Sequence, residues 1–392
     1  MRAAATGAGA RLADALAARR DELLEIIVEI ATYDSAADEL ASAVAALRGA
    51  DREVAEHAPS VGTAAVFLPS NNLLYSYVLY GLIPSLYCDR VLMRPPARFA
   101  DIGCRLHEAL RDVRGDLVPA RVELRPTFQR EFLGLCAGAD AVVFTGQHRN
   151  GLQVASELGP ETPVLLFGSG PNPVVIGPEA GVTEVLAAAV SARLYNVGQD
   201  CLCADLYLVH ADRARELVEG LCDSIADLGS GDRREPGVAL APLTYPDAGH
   251  HAQRFVDRHA DLVVRPGRLD GPEAPRPVVL SAPWRLDLHP PEFFCPVFLV
   301  MVYERADQVR AWLATREERT RGMYVSVFGE PELAGAPIVG TSVVCAGQTT
   351  FAFEDGNTPF GGYGVEASGV SLHGEVAGRP LLLSAEMGGA RR

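Results

Sequence analysis

Lysine is missing altogether from this 392-residue chain: every one of its 35 basic residues is an arginine. Without lysine there is no Schiff-base chemistry, no pyridoxal-phosphate anchor and no phosphate-binding P-loop. A basic surplus is also missing. Against 50 acidic residues the formal net charge is −15, which leaves nothing to neutralise a nucleic-acid backbone, so no such partner is expected. The eight cysteines, at 88, 104, 136, 201, 203, 222, 295 and 345, never form a Cys-x-x-Cys pair. That excludes a zinc-ribbon pattern and a disulfide framework. Long apolar runs are absent as well. The best candidate, Leu73 to Leu86, is interrupted by Gly81 and Pro84, so no membrane span is expected. The first residues lack the unbroken apolar core of a secretory signal and carry Asp14, Asp21 and Glu22, which makes a cytoplasmic location the expectation.

What is present is an ordinary globular composition, 48% hydrophobic and 22% charged, sufficient for one large α/β unit or two packed domains. After a short tail, helical periodicity runs through 10–32 and 35–48. Strands and helices then alternate: TAAVFLPS, DRVLMRPP, a helix with Ile102, Leu106 and Leu110 on one face, and ADAVVFTGQHRNG as a strand opening into a turn and helix. TPVLLFGSGPNPVVIG reads as a strand pair around a Gly/Pro turn. A second unit begins near Pro173, with Thr183 capping a helix that carries Leu186, Val190 and Leu194. DLYLVH, PVFLVMVYE and GMYVSVFG supply further strands around a Pro/Gly-rich, irregular section at 229–291. The pattern implies an α/β fold with mainly parallel, doubly wound sheets and ligands beyond the carboxyl ends of the strands. The expected division is 1–172, 173–365, and a C-terminal segment 366–392 returning to the first domain or to a dimer interface.

Chemistry concentrates in YNVGQDCLCADLYLVH, residues 195–210. Three readings of its two cysteines are open. Cys201 is a nucleophile, Cys201 and Cys203 are half of a metal site, or both are core. A metal needs two further ligands, and the only clustered histidines, His250 and His251, fall in an expected loop. Cys201 sits in a turn after a helix, where free backbone N–H groups lower a thiol pKa and hold an oxyanion.

The chain resembles the aldehyde dehydrogenase superfamily on six motifs in order. NVGQDC resembles Asn-x-Gly-Gln-x-Cys, with Cys201 as nucleophile. FLPSNN resembles Pro-Trp-Asn, with Asn71 as the oxyanion amide. VLMRPP resembles a strand ending in Lys-Pro, and VVFTG resembles Phe-Thr-Gly-Ser. EFFCPV and PFGGYGVEASG are similar to Glu-Ile-Phe-Gly-Pro-Val and to the C-terminal Pro-Phe-Gly-Gly segment. The resemblance spans roughly 20–385. It implies a Rossmann-type cofactor domain and a second α/β catalytic domain, in a chain shortened at its N-terminus. It also implies a nicotinamide cofactor held by Arg94, Arg98, Thr145, Gly146, Gln147, Glu292 and Phe294, no metal, and a homodimer.

The departures indicate which kind of member this is. Leu166 stands where the family's water-activating glutamate belongs, and Glu157, Glu161 or Glu179 replaces it only if the fold carries one of them into the site. GSGPNPVVI is similar to CoA-acylating members. The leading expectation is therefore an NAD(P)-dependent interconversion of an acyl thioester and an aldehyde, with CoA as possible co-substrate. The alternatives are oxidation of an aldehyde to an acid with a relocated base, or a silent binding subunit. Arg94 replaces a lysine, and Ala97 and Arg98 replace the acid that holds a ribose 2′-hydroxyl, which favours NADP over NAD. Gln147 replaces a small residue where the pyrophosphate-binding helix opens. The segment 48–62 is short where the family's bridging hairpin sits. Cys203 and Cys295 read as packing.

Overall fold

The computed structural model describes residues 7–57, 61–115 and 121–389; the tail expected before the first helix lies outside them. Two sheets organise the chain. The first is built from β1 (Val61–Phe67), β2 (Cys88–Arg94), β3 (Arg121–Leu124), β4 (Ala141–Thr145) and β5 (Val164–Phe167). The second comprises β6 (Val174–Ile176), β7 (Tyr207–His210), β8 (Val263–Arg265), β9 (Val278–Pro283), β10 (Val297–Tyr303), β11 (Tyr324–Phe328), β12 (Ile338–Val339) and β13 (Ser342–Ala346). The chain then returns to the first sheet with β14 (Ser368–Leu372) and β15 (Glu375–Gly378).

The first sheet is seven-stranded, in the order β15-β14-β5-β4-β1-β2-β3. β5 through β3 run parallel, and β14 adds antiparallel to β5. From β1 the chain winds outward to β2 and β3; from β4 it winds the other way to β5. The switch point therefore lies between β1 and β4, and a crevice opens there at the strand ends. The second sheet is eight-stranded, in the order β12-β13-β11-β6-β7-β10-β9-β8, antiparallel only at its two edges.

Both central sheets read as continuous apolar runs because both faces are covered; β5, β7 and β10 are nearly all buried. On the long helix Tyr33–His57, Leu40, Ala43, Leu47 and Ala50 recur at helical spacing and are buried in the core of the first sheet.

Local expectations needed correction where chain context outweighs pattern. The periodic stretch 10–32 is two helices, Ala8–Ala17 and Arg20–Ile27, broken at Ala18–Arg19. The segment after 48 continues as helix to His57. β5 and β6 are not a pair: Gly168–Pro173 carries the chain from one sheet to the other. The irregular section holds the helix Pro246–Arg258 and strands β8 and β9. Proline sits at the first position of that helix, where its missing N–H costs nothing. Thr183 lies inside the helix Val182–Leu194, whose cap is Gly181.

Candidate active site

The sheet orders bring the chemistry together. Asn71 follows β1, while Thr145 ends β4 and Gly146 and Gln147 follow it, so both groups lie at the switch point of the first sheet. Cys201 precedes β7 and Glu292 precedes β10, and these two strands are parallel neighbours, with Tyr207 opposite Val300. The second sheet thus presents its amino ends, not the expected carboxyl ends, to the crevice of the first.

The nucleophile turn is tied down residue by residue. The Asn196 backbone N–H donates to Ser35 Oγ at 2.9 Å, and its side-chain oxygen accepts from the Thr32 N–H at 3.2 Å. Gln199 Oε1 accepts from the Thr244 N–H at 2.8 Å. The Tyr195 ring stacks on Phe351 at 4.3 Å. Asp200 accepts from the Leu202 N–H at 2.8 Å and from the Asn72 amide, and the Asn71 amide also bonds it. Asn71 is thereby drawn to the residue just before Cys201. Asn172, fully buried and with φ 39, donates to the Cys201 carbonyl at 2.7 Å. Thr350 Oγ1 donates to the Leu202 carbonyl at 2.6 Å. Neither Asn172 nor Thr350 carries a local pattern that marks this role.

Cys201 is half-buried. Burial, together with Asp200 and Glu292, pushes its thiol well above the usual range, outweighing its own backbone N–H. The turn alone therefore does not activate this thiol, contrary to expectation, and a proton acceptor is required. Cys203 and Cys295 are buried. His250 and His251 lie exposed on the helix Pro246–Arg258, not in a loop, and no cluster that could hold a metal occurs among the described residues.

Two carboxylates, Asp200 and Glu292, act on the sulfur, and a third, Glu354, lies farther along the chain. Glu292 Oε2 accepts from Ser169 Oγ at 2.7 Å, while Oε1 is buried without a partner. Burial, with Asp205 nearby, raises its pKa to about 8. Glu354 follows the helix Thr350–Phe353 and accepts from the Tyr75 hydroxyl at 2.8 and 2.9 Å. Burial raises it to about 7 despite that bond. Tyr80 and Tyr324 each feel both Cys201 and Glu354, so the thiol and this carboxylate have these two rings as common neighbours. Tyr324 also accepts from the Gly361 N–H at 2.7 Å.

Leu166 faces away from this shell. It packs with Phe67, Phe132 and Val154, and its Cδ2 lies 2.7 Å from where a Cβ on Gly151 would stand. Replacing Leu166 with Glu should not install a base. It should bury an unpaired carboxylate and destabilise the fold by about 3 kcal/mol or more, read as a lowered urea midpoint. Glu157, Glu161 and Glu179 are exposed, or nearly so, and do not reach the site: Glu157 bonds Gln153, and Glu161 faces His373.

The residues expected at the cofactor fit a dinucleotide. The helix His148–Leu158 begins at exposed Gln147 with no side-chain cap, an N-terminus of the kind that receives phosphate. Arg94 donates from Nε to the Thr127 carbonyl at 3.0 Å, beside Phe128, which is 80% exposed. Arg98 lies over the Phe99 and Tyr245 rings, at 5.6 Å from each, and Tyr245 meets Phe294 edge-on at 6.1 Å. The orphaned Glu292 Oε1 matches a ribose hydroxyl donor. Phe128 and Tyr245 escaped sequence reasoning because each sits in a stretch without periodicity.

Comparison with known proteins bears on the family and the fold. Residues 11–376 match the sequence profile of the Aldehyde dehydrogenase family. A succinate-semialdehyde dehydrogenase [NADP(+)] of Mycobacterium avium is 31% identical over 174 residues, 43% of this chain and 36% of that protein. The matched stretch thus spans about a third of that relative. Among solved structures, an aldehyde dehydrogenase of Brucella melitensis has a TM-score of 0.82 at 17% identity, covering 98% of this chain and 82% of that one. A glyceraldehyde-3-phosphate dehydrogenase of Methanocaldococcus jannaschii, complexed with NADP, has a TM-score of 0.78 at 16% identity, covering 94% and 85%. At such identities these two show a shared fold.

Proposed function

Since the chain belongs to the aldehyde dehydrogenase family, we propose that it oxidises an aldehyde to a carboxylic acid with NADP⁺, through a thioester on Cys201. The observation that carries this reading is the convergence of Cys201, Asn71 and Glu292 at the switch-point crevice. The relatives named as NADP⁺-dependent semialdehyde dehydrogenases support oxidation over thioester reduction, and Ala97 and Arg98 support NADP⁺ over NAD⁺.

The Cys201 thiol gives its proton to a neighbouring carboxylate, and the sulfur adds to the aldehyde carbon. Asn71 and the Cys201 N–H stabilise the oxygen as it gains charge. The bound nicotinamide supplies the hydride acceptor, and Glu292 and Phe294 orient it. Water then attacks the thioester, and Glu354 takes its proton. A carboxylate near pKa 7 is well placed for that task at neutral pH, half-ionised and basic enough to accept. This relocated base makes good the loss at Leu166.

The second reading, acyl transfer to CoA, is favoured by one observation: Leu166 is sealed in an apolar cluster. One assay separates the two. Aldehydes are supplied with NADP⁺, with and without CoA, and the product is identified. Free acid formed at the same rate without CoA supports oxidation; turnover that requires CoA overturns it. Turnover should rise with pH through about 7 and continue towards about 8 as Glu354 and then Glu292 ionise. The outer edge of β15, which no further strand covers among the described residues, suits the expected homodimer.

Stability should show the opposite slope from one carboxylate outside the chemistry. Glu39 is buried and accepts from the Leu74 and Tyr75 N–H groups at 2.7 and 3.0 Å. Burial raises its pKa from 4.5 to about 7. The fold thus keeps a proton that the unfolded chain has released, and this group's contribution falls as pH climbs from 4.5 through about 7. Glu39→Gln should lose less stability than wild type between pH 5 and pH 8, measured by urea unfolding at each pH.

A further inference from the structure

Arg193 is wholly buried at the end of the helix Val182–Leu194, and Asp205, 1% exposed, lies at the far end of the nucleophile turn. The two form an ion pair. Arg193 also donates from Nη1 to the Ala204 carbonyl at 2.8 Å and from Nη2 to the Gly198 carbonyl at 2.7 Å. Its guanidinium therefore spans the turn, gripping the backbone on both sides of Cys201. The same Asp205 Oδ1 accepts from the Phe293 N–H at 2.9 Å, one residue beyond Glu292. One carboxylate oxygen thus joins the loop of the nucleophile to the loop of Glu292.

The turn needs such a grip. Asn196, Val197 and Gly198 follow one another in the left-handed region at φ 46, 60 and 81. For a β-branched residue such as Val197 that conformation costs about 1–3 kcal/mol and persists only where its surroundings over-determine it. Space is equally constrained: a Cβ on Gly198 would stand 3.0 Å from Arg193 Nη2 and from the Cys295 backbone.

We propose that the buried Arg193–Asp205 pair is the positioning element of this site, holding the strained Cys201 turn and the Glu292 loop in one register. It touches no substrate and acts through the backbone at Gly198, Ala204 and Phe293. Charge alone does not account for its place. Burial disfavours the guanidinium, but Asp205 outweighs this and leaves it above its usual range. A pair this deep is a poor source of stability compared with apolar packing. Cys203, Tyr207, Cys295, Asp200 and Glu292 also face the pair.

The inference rests on the proposed chemistry only for its turnover readout. Asp205→Asn keeps the shape but removes the charge, and Arg193→Lys keeps the charge but cannot span both carbonyls. The full chain is alkylated with iodoacetamide over a pH series, and the modified Cys201 peptide is quantified by mass spectrometry. NADP⁺ affinity is measured separately by quenching of protein fluorescence. In both variants the Cys201 pH–rate profile should shift, its alkylation rate should change about tenfold, and NADP⁺ should bind several-fold more weakly, roughly 3–10-fold. If a variant does not fold, the other is read. A lowered melting temperature with unchanged alkylation profile and NADP⁺ affinity would show a purely structural pair and overturn the proposal. If wild type turns over no aldehyde, the proposed function fails while these two readouts still decide the role of the pair.

Discussion

Cys201→Ala should abolish aldehyde-dependent reduction of NADP⁺, by roughly 10⁴-fold or more, and leave NADP⁺ affinity within about twofold of wild type. The split between the two measurements is the informative part. Removing the sulfur removes the group proposed to bond the carbonyl carbon. The residues proposed to hold the dinucleotide, in contrast, are those at the end of β4 and in the turn after it, with Arg94 and Glu292, and the substitution changes none of them. Burial and the adjacent Asp200 and Glu292 carboxylates keep the thiol neutral at pH 8, so its removal takes no buried charge out of the fold. Retained turnover in Cys201→Ala would take the nucleophile's role away from this residue. Turnover in the second cysteine's place is not expected: Cys203 is buried, and its sulfur points to the Tyr195 carbonyl at 3.6 Å.

Glu354→Gln should separate the two halves of the reaction. Gln keeps the size of the side chain and can still bond the Tyr75 hydroxyl, but it cannot accept a proton. The first turnover should proceed, giving a burst of NADPH close to one per active site, after which steady-state turnover should fall by about 10²–10⁴. Rapid-mixing absorbance follows both phases. A small thiol added in excess should restore turnover, because a thiolate attacks the thioester without a general base. An undiminished steady state in Glu354→Gln would place the base elsewhere. A lost burst would mean that Glu354 acts before the hydride leaves.

The motifs were legible because each is held by backbone geometry close to it in sequence. Asn196, Gly198 and Gln199 are recognisable since the tight turn before Cys201 needs a left-handed glycine and two amides that reach neighbouring segments. The alternation of strands and helices was legible for a similar reason: buried parallel strands are short apolar runs with few substitutes. The section 229–291 was not legible. Its helix Pro246–Arg258 is built largely from polar residues around Gly249, Ala252, Phe255 and Val256, and its proline reads as a breaker unless its place at the first turn is known. The proposed acid–base chemistry was the least legible part. Glu354 lies far along the chain from Cys201, and no spacing rule joins the two.

The sequence by itself determined the family resemblance, the nucleophile's neighbourhood and the loss of the usual carboxylate at Leu166, since all three depend on residue type within short windows. Only the tertiary structure decided what stands around the sulfur. Strand order brings the amino ends of β7 and β10 against the switch point of the first sheet, and burial there sets the proton affinities of Cys201, Glu292 and Glu354. Desolvation and the sharing of Asp205 between two loops are long-range properties, and they exist only once the chain has closed on itself.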